Sequence, residues 1–124
     1  MKTTLVVKIA ALLEIVVGAA LIAAPNFVSG LLFGSALDGA GVVLGRFAGI
    51  ALFSLGIGGI SGDSAGARNP VALSLLIFNA GAAIFLVWVG VATPFRGVLL
   101  WPAAILHAAL TCGLLWTRLR TAPR

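Results

Sequence analysis

Charged side chains are scarce in this chain of 124 residues, in which Lys and Arg number 8, Asp and Glu number 3, and together they make up 9%. Tyrosine is absent, while histidine and cysteine each occur once, as His107 and Cys112. The missing tyrosine excludes phenolic acid–base chemistry, and a single cysteine excludes an intrachain disulfide or a thiolate metal site. The sequence therefore favours a protein that is not an enzyme, without a metal centre and without a cofactor that its residues identify.

The net charge of +5 does not indicate nucleic acid binding. The basic residues are few and spread out, and they form no basic patch with interleaved aromatic residues of the kind that holds a groove or a single strand. Membrane topology explains the positive balance better, because short cytoplasmic flanks of membrane helices carry an excess of Lys and Arg.

Apolar residues are abundant instead, at 61% of the chain, whereas soluble domains are about half apolar and about a quarter charged. Long apolar runs cover residues 5–24, 41–60, 70–91 and 97–117. About 20 such residues in a helix cross the hydrocarbon core of a bilayer. These runs predict an all-α, four-transmembrane-helix bundle that forms a single integral membrane domain over residues 1–124. Cys112, inside the last run, is expected to be a small core residue.

Proline and polar residues mark the connections between the predicted spans. Pro25 ends the first span or starts the next segment, and residues 25–34 repeat apolar side chains at helical spacing over a stretch too short to cross. We expect a short interfacial helix there, between the first and second spans. Residues 61–69 are polar and predict a loop. A cleaved signal peptide is the alternative for the first run, but its length and the central Glu14 argue against cleavage.

The distribution of basic residues predicts which ends face the cytoplasm. With a cytoplasmic N-terminus, most basic residues fall on that side and only Arg96 and Arg46 fall on the other. The cytoplasmic set is Lys2, Lys8, Arg68, Arg118, Arg120 and Arg124. We therefore expect both termini in the cytoplasm.

Each predicted span carries one strongly polar residue: Glu14, Arg46, Asn79 and His107. Counting residues at ~1.5 Å rise from the outer ends of the helices places them about 15, 9, 18 and 15 Å below the outer edge, so they could converge in the outer half of one bundle. We expect them to converge, with Glu14 and Arg46 forming an ion pair. Two interpretations remain open, because polar groups inside a bundle can bridge helices, while ionisable ones can also mark a pocket for a ligand or a proton path.

Small residues on the second span predict close helix packing. Gly41, Gly45 and Gly49 recur every fourth residue and strip one helical face of side chains. We expect this face to meet the small residues around Glu14 on the first span. The same pattern can also serve a homo-oligomer.

Several segments resemble a widespread type of short bacterial four-span membrane protein, similar to DoxX-like proteins. They are ALLEIVVGAALIAAPNFVSGLLFG, GRFAGIALFSLGIG, LLIFNAGAAIFL and LLWPAAILHAAL, and they carry Glu14, Pro25, Arg46, Asn79, Trp101–Pro102 and His107. The resemblance implies a multi-pass protein of the bacterial inner membrane. It implies no particular activity, because that type of protein has no common activity to transfer.

Two functions follow from these observations. The first is a non-enzymatic accessory or assembly subunit of a larger membrane complex. The alternative is a binding protein or redox subunit for a lipophilic ligand such as a quinone, held by Glu14, Arg46, Asn79 and His107. The expected partners are the lipid bilayer, further copies of the chain or other subunits, and a lipophilic small molecule, but no nucleic acid.

Overall fold

The computed structural model describes residues 2–61 and 69–120, with side chains from Leu5 onwards. Within these ranges the chain forms α1 (Lys2–Ala23), α2 (Pro25–Phe33), α3 (Gly39–Ser61), α4 (Pro70–Ala92) and α5 (Leu100–Arg120), and no strand. The predicted all-α architecture is confirmed. The polar loop predicted at residues 61–69 lies mostly outside the described residues.

Four of these helices are long and apolar enough to cross a membrane, namely α1, α3, α4 and α5. Their bounds differ little from the predicted spans. The largest difference is in α5, which begins at Leu100 rather than at residue 97 and ends at Arg120 rather than at residue 117. Residues 97–99 precede the helix, and the N–H groups of Gly97 and Leu99 bond to α2, as described below.

The predicted short helix after the first span is present as α2. Pro25 occupies its first turn, where a missing backbone N–H leaves no intrahelical bond unmade. The carbonyl of Ala24 accepts from the N–H groups of Phe27 and Val28, at 3.1 and 3.2 Å, so the new helix begins directly at the end of α1. α2 ends at Phe33 and is capped by Gly34, whose φ of 70° is a left-handed conformation that glycine adopts without steric cost.

The C-terminal end of α2 is tied to the connection between α4 and α5. The carbonyl of Leu31 accepts from the N–H of Leu99 at 2.8 Å, that of Leu32 from Gly97 at 3.2 Å, and that of Phe33 from Arg96 at 3.0 Å. The remaining carbonyl of the last turn, on Gly30, accepts from the N–H of Gly34 at 3.0 Å. Every carbonyl that the end of a helix normally leaves without a partner is thus bonded. We call these three interactions between α2 and residues 96–99 the backbone strap.

The tightest interhelical packing joins α1 and α3, which run antiparallel, since Gly49 meets Gly18 and the later Gly59 meets the earlier Ala11. A Cβ on Gly49 would lie 2.7 Å from the carbonyl oxygen of Gly18, and a Cβ on Gly56 would lie 2.5 Å from that of Ala11. On Gly59 it would lie 2.6 Å from Cβ of Ala11. These distances leave no room for a side chain, so glycine permits the close approach of the two backbones.

The three glycines predicted to pack on the first span have different neighbours in the structure. Of Gly41, Gly45 and Gly49, only Gly49 lies against α1. Gly45 faces Pro25 at the start of α2, and Gly41 faces Leu37 and Asp38 in the turn that precedes α3. The strip that packs on α1 is therefore Gly49, Gly56 and Gly59, because the two helices stay in contact along the C-terminal half of α3.

Two apolar clusters fill the bundle, and a polar layer that consists of Glu14, Asn79 and His107 lies between them. The first cluster joins α1, α4 and α5 near the chain termini, and the second joins α4 and α5 near α2. They consist of Val7, Ala10, Ala11, Ala72, Leu75, Leu110 and Leu114, and of Leu86, Val89, Leu100 and Ala104. Cys112 belongs to neither cluster and is exposed, so its predicted core position is wrong. It lies on the side of α5 that faces away from the other helices.

Candidate functional site

Asn79 lies at the centre of the polar layer and is fully buried, at 0% exposure. Its Nδ2 donates to the carbonyl oxygen of Leu75 at 2.9 Å and to Oε1 of Glu14 at 3.4 Å. Its Oδ1 lies 2.8 Å from Nδ1 of His107. One amide on α4 therefore connects α1 to α5, and the structure brings together three of the four polar residues predicted to converge.

The partners of Asn79 determine the orientation of its amide. The carbonyl of Leu75 can only accept, so the nitrogen of the amide must face it. The oxygen then faces His107, and because this oxygen carries no proton, Nδ1 of His107 must carry one. The imidazole ring is held from the side by Phe78, in an edge-to-face contact with 6.0 Å between ring centroids.

Glu14 is buried at 1% exposure. Its partner among the described residues is the amide of Asn79, through the 3.4 Å contact. Ala10 and Ala11, one turn earlier on α1, are fully buried at 0% and bring the neighbouring helices close to this carboxyl. The small-residue face predicted around Glu14 thus lies inside the bundle.

Arg46 does not join this cluster, and the expected ion pair with Glu14 is not formed. Its side chain is exposed, and no ion pair to it is present among the described residues. Gly56, which packs on Ile15 next to Glu14, lies ten residues beyond Arg46, or about 15 Å along the helix axis. The Cα–Cβ bonds of a helix tilt toward its N-terminus, so in antiparallel α1 and α3 the two side chains lean in opposite directions.

A cavity of about 380 Å³ lies beside the polar layer, on the side toward α2. Its walls come from α1, α2, α4 and α5 and from Leu99 just before α5. The lining residues are Leu13, Val16, Val17, Ala20, Phe27, Val28, Leu31, Leu32, Leu86, Leu99, Pro102, Ala103, Leu106 and His107. His107 is the polar residue in this lining, and every other lining side chain is hydrocarbon.

The second ring nitrogen of His107, Nε2, has no hydrogen-bond partner among the described residues, and His107 lines the cavity. Among the described residues, the hydrogen bond of its imidazole is the one from Nδ1 to Asn79. No buried side-chain nitrogen or oxygen in the described part of the chain lacks a partner. Since Nε2 has no partner, it must be accessible rather than enclosed.

The cavity is open toward the outside of the bundle. Val16 and Phe27 line it and are exposed by 58% and 66%. Leu99 and Leu106 also line it and are exposed by 42% and 43%. These residues lie on three different helices or their flanks, so the opening faces the surroundings of the bundle and not its interior. α2 covers the cavity at one end and is held there by the backbone strap.

No protein-family model, no curated protein and no solved structure matches this chain. The resemblance to DoxX-like proteins therefore stays a prediction. The site itself combines an apolar cavity with one accessible nitrogen.

Proposed function

We propose that this chain is a multi-pass membrane protein that binds a small lipophilic molecule in the cavity between α1, α2 and α5. The observation that carries the proposal is the accessible Nε2 of His107 on an otherwise hydrocarbon wall. Ligand sites in proteins are typically apolar cavities of about 300–1,000 Å³ with a few placed polar groups. The cavity volume of about 380 Å³ is within this range.

The alternative of a purely structural polar layer accounts for less of the geometry. A bridge between α4 and α5 needs only the bond from Nδ1 of His107 to Asn79. It does not require an opening beside the ring, since small residues close the packing of α1 on α3 without a gap. The predicted role as an accessory or assembly subunit stays a prediction, and a ligand-binding subunit of a larger complex is compatible with it.

The proposed location is the bacterial inner membrane, with both termini in the cytoplasm. The basic residues support this orientation, because Arg118 and Arg120 lie in the last turn of α5 and Lys8 lies near the start of α1. The end that carries α2 then faces outward. Cysteine labelling from outside should modify position 38 and spare position 118; the reverse pattern would contradict the orientation.

A pair of alanines on α1 provides a direct test of the cavity. Ala20 lines it, whereas Ala19 is exposed and does not. Ala20→Phe should fill the cavity, while Ala19→Phe makes the same chemical change on the lipid-facing side. Both variants and the wild type would be incubated in mild detergent with 4-octylphenol and with its methyl ether, and bound probe would be measured by native mass spectrometry.

We expect the wild type and Ala19→Phe to retain at least one probe and Ala20→Phe to lose it. Melting temperatures of the three proteins show whether each is folded. Equal retention by Ala20→Phe and Ala19→Phe, or no retention by any of them, would contradict the proposed function.

A further inference from the structure

We propose that the molecule bound in the cavity carries a hydroxyl group, as a phenol or an alcohol does, and that this hydroxyl donates a hydrogen bond to Nε2 of His107. The inference rests on the proposed function and specifies its ligand class. It follows from the positions of protons in the polar layer, which decide what Nε2 can accept or donate.

The amide of Asn79 sets the proton position on the imidazole. Both atoms that its nitrogen contacts, the carbonyl oxygen of Leu75 and Oε1 of Glu14, are oxygens. The oxygen Oδ1 is consequently the atom that faces His107, at 2.8 Å from Nδ1. An amide oxygen cannot donate, so the proton of this bond belongs to Nδ1.

A neutral imidazole has one proton, and here Nδ1 carries it. Nε2 then has a lone pair and acts as an acceptor. The neutral ring is the form suited to this wall, because a buried charge without a counterion in contact with it is costly. No carboxylate lines the cavity, and Glu14 contacts the amide of Asn79 and not the imidazole. The carbonyl oxygens of a quinone or an ester cannot donate to this lone pair, whereas the hydroxyls of a phenol, an alcohol or a quinol can.

The cavity lining other than His107 determines what the part of the ligand beyond its hydroxyl group can be. Apart from His107 its lining is hydrocarbon, so a second polar group on the ligand would lose its bonds to water without replacement. The open side, at Val16 and Leu106, allows an apolar tail to extend into the lipid. A phospholipid does not fit this pattern, because its charged headgroup would have to leave the interface to reach His107.

The preference for a hydroxyl can be measured on the wild-type protein with the matched probes. 4-Octylphenol and its methyl ether share their ring and tail, and differ in the ability to donate. We expect the phenol to bind about tenfold more tightly, a difference of about 1.4 kcal/mol, as expected for one hydrogen bond in a site without competing water. 1-Dodecanol and its methyl ether separate alcohols from phenols as the source of the hydroxyl.

Two variants separate the hydrogen bond from the cavity. His107→Phe keeps a ring in place but removes the acceptor, so it should bind phenol and ether equally. Ala19→Phe leaves the cavity lining intact and should keep the wild-type ratio. If His107→Phe does not fold, the ratio in the wild type still decides the question.

The outcomes distinguish this inference from the proposed function. Equal affinity of phenol and ether in the wild type, with both lost in Ala20→Phe, would overturn the hydroxyl preference and leave the cavity as a binding site. Tighter binding of a ketone probe, 4-octylacetophenone, than of the phenol would also overturn it, because Nε2 would then have to donate. Binding of no probe would overturn the proposed function itself.

Discussion

The two sides of α1 show how chemically similar helices can either close or leave a gap. On one side, glycines of α3 bring backbone against backbone, as where Gly56 meets Ala11. On the other side, Val16, Val17 and Ala20 face a cavity of about 380 Å³. Both sides consist of apolar residues of helices that can cross a membrane.

The difference shows that in an apolar bundle small residues, and not hydrophobicity, determine which helix–helix interfaces pack tightly. Hydrocarbon side chains gain little by leaving lipid for another hydrocarbon surface, so van der Waals fit and hydrogen bonds carry the association. On the α3 side, Gly49, Gly56 and Gly59 lie directly against α1. On the cavity side, larger side chains of α1 and α5 and the short helix α2 line the gap.

The largest expected loss of stability comes from adding one methyl group at the closed side of α1, where α3 packs against it. In Gly56→Ala, the new Cβ would lie 2.5 Å from the carbonyl oxygen of Ala11 and 2.8 Å from the backbone nitrogen of Ile15. Backbone atoms cannot move aside easily, so we expect a loss of about 2 kcal/mol, within the range for overpacking. Unfolding by SDS in mixed micelles measures this loss.

Gly58→Ala is the matched control for that substitution. Its Cβ would lie 3.6 Å from Val71, an ordinary contact distance, so stability should stay the same or rise slightly, since alanine favours the helix. If both variants are equally stable, the close approach of α1 and α3 is not what holds the closed side together.

An intermediate loss of stability is expected when the polar layer beside the cavity is disrupted at Asn79. Asn79→Leu removes the bonds to Glu14 and His107. It also leaves the N–H of His107 without an acceptor. Interhelical bonds in membranes average ~0.6 kcal/mol and a buried unpaired group costs ~1–3 kcal/mol, so we expect a loss of about 1–2 kcal/mol in the same SDS titration.

Ser74→Ala tests whether that loss is specific to the layer. The Ser74 hydroxyl donates to the carbonyl of Pro70 on its own helix and is exposed, so its removal should change stability by less than about 0.5 kcal/mol. A similarly small change in Asn79→Leu would mean that the layer contributes little to the association of α1, α4 and α5.

The smallest effect is expected for the coupling between Glu14 and Arg46, which do not form an ion pair. Because Arg46 lies far along α3 from Glu14, the effects of Glu14→Gln and Arg46→Gln on the free energy of unfolding should add within about 0.5 kcal/mol. Gln also keeps an oxygen that can accept from Asn79. A double mutant that recovers most of the loss of either single variant would instead show that the two side chains meet.

Features of the fold and of the candidate site could be predicted from the sequence to different degrees. The spans and α2 follow from long apolar runs and from Pro25, which are local properties. That Glu14, Asn79 and His107 would meet was expected from their depths along separate helices. Arg46, however, lies about 15 Å along the helix axis from the level of Glu14, and the two side chains lean in opposite directions. The count of depths captured neither fact, so the expected partner of Glu14 on α3 was wrong.

Other features depend on contacts between distant segments and have no local pattern. Gly56 and Gly59 pack on α1, although the regular spacing of Gly41, Gly45 and Gly49 drew attention to the other end of α3. The predicted start of the last span at residue 97 overlooked the backbone strap. The cavity arises from how helices are spaced, so no single segment of the sequence indicates it.

The backbone strap has a consequence for how the chain is made. The carbonyls of Leu31, Leu32 and Phe33 receive their partners from Arg96, Gly97 and Leu99, which are synthesised more than sixty residues later. Until residues 96–99 have been made, these carbonyls lack the partners that they have in the folded protein. The cover of the cavity is therefore completed only after those residues are added, although its own residues precede them by more than sixty positions.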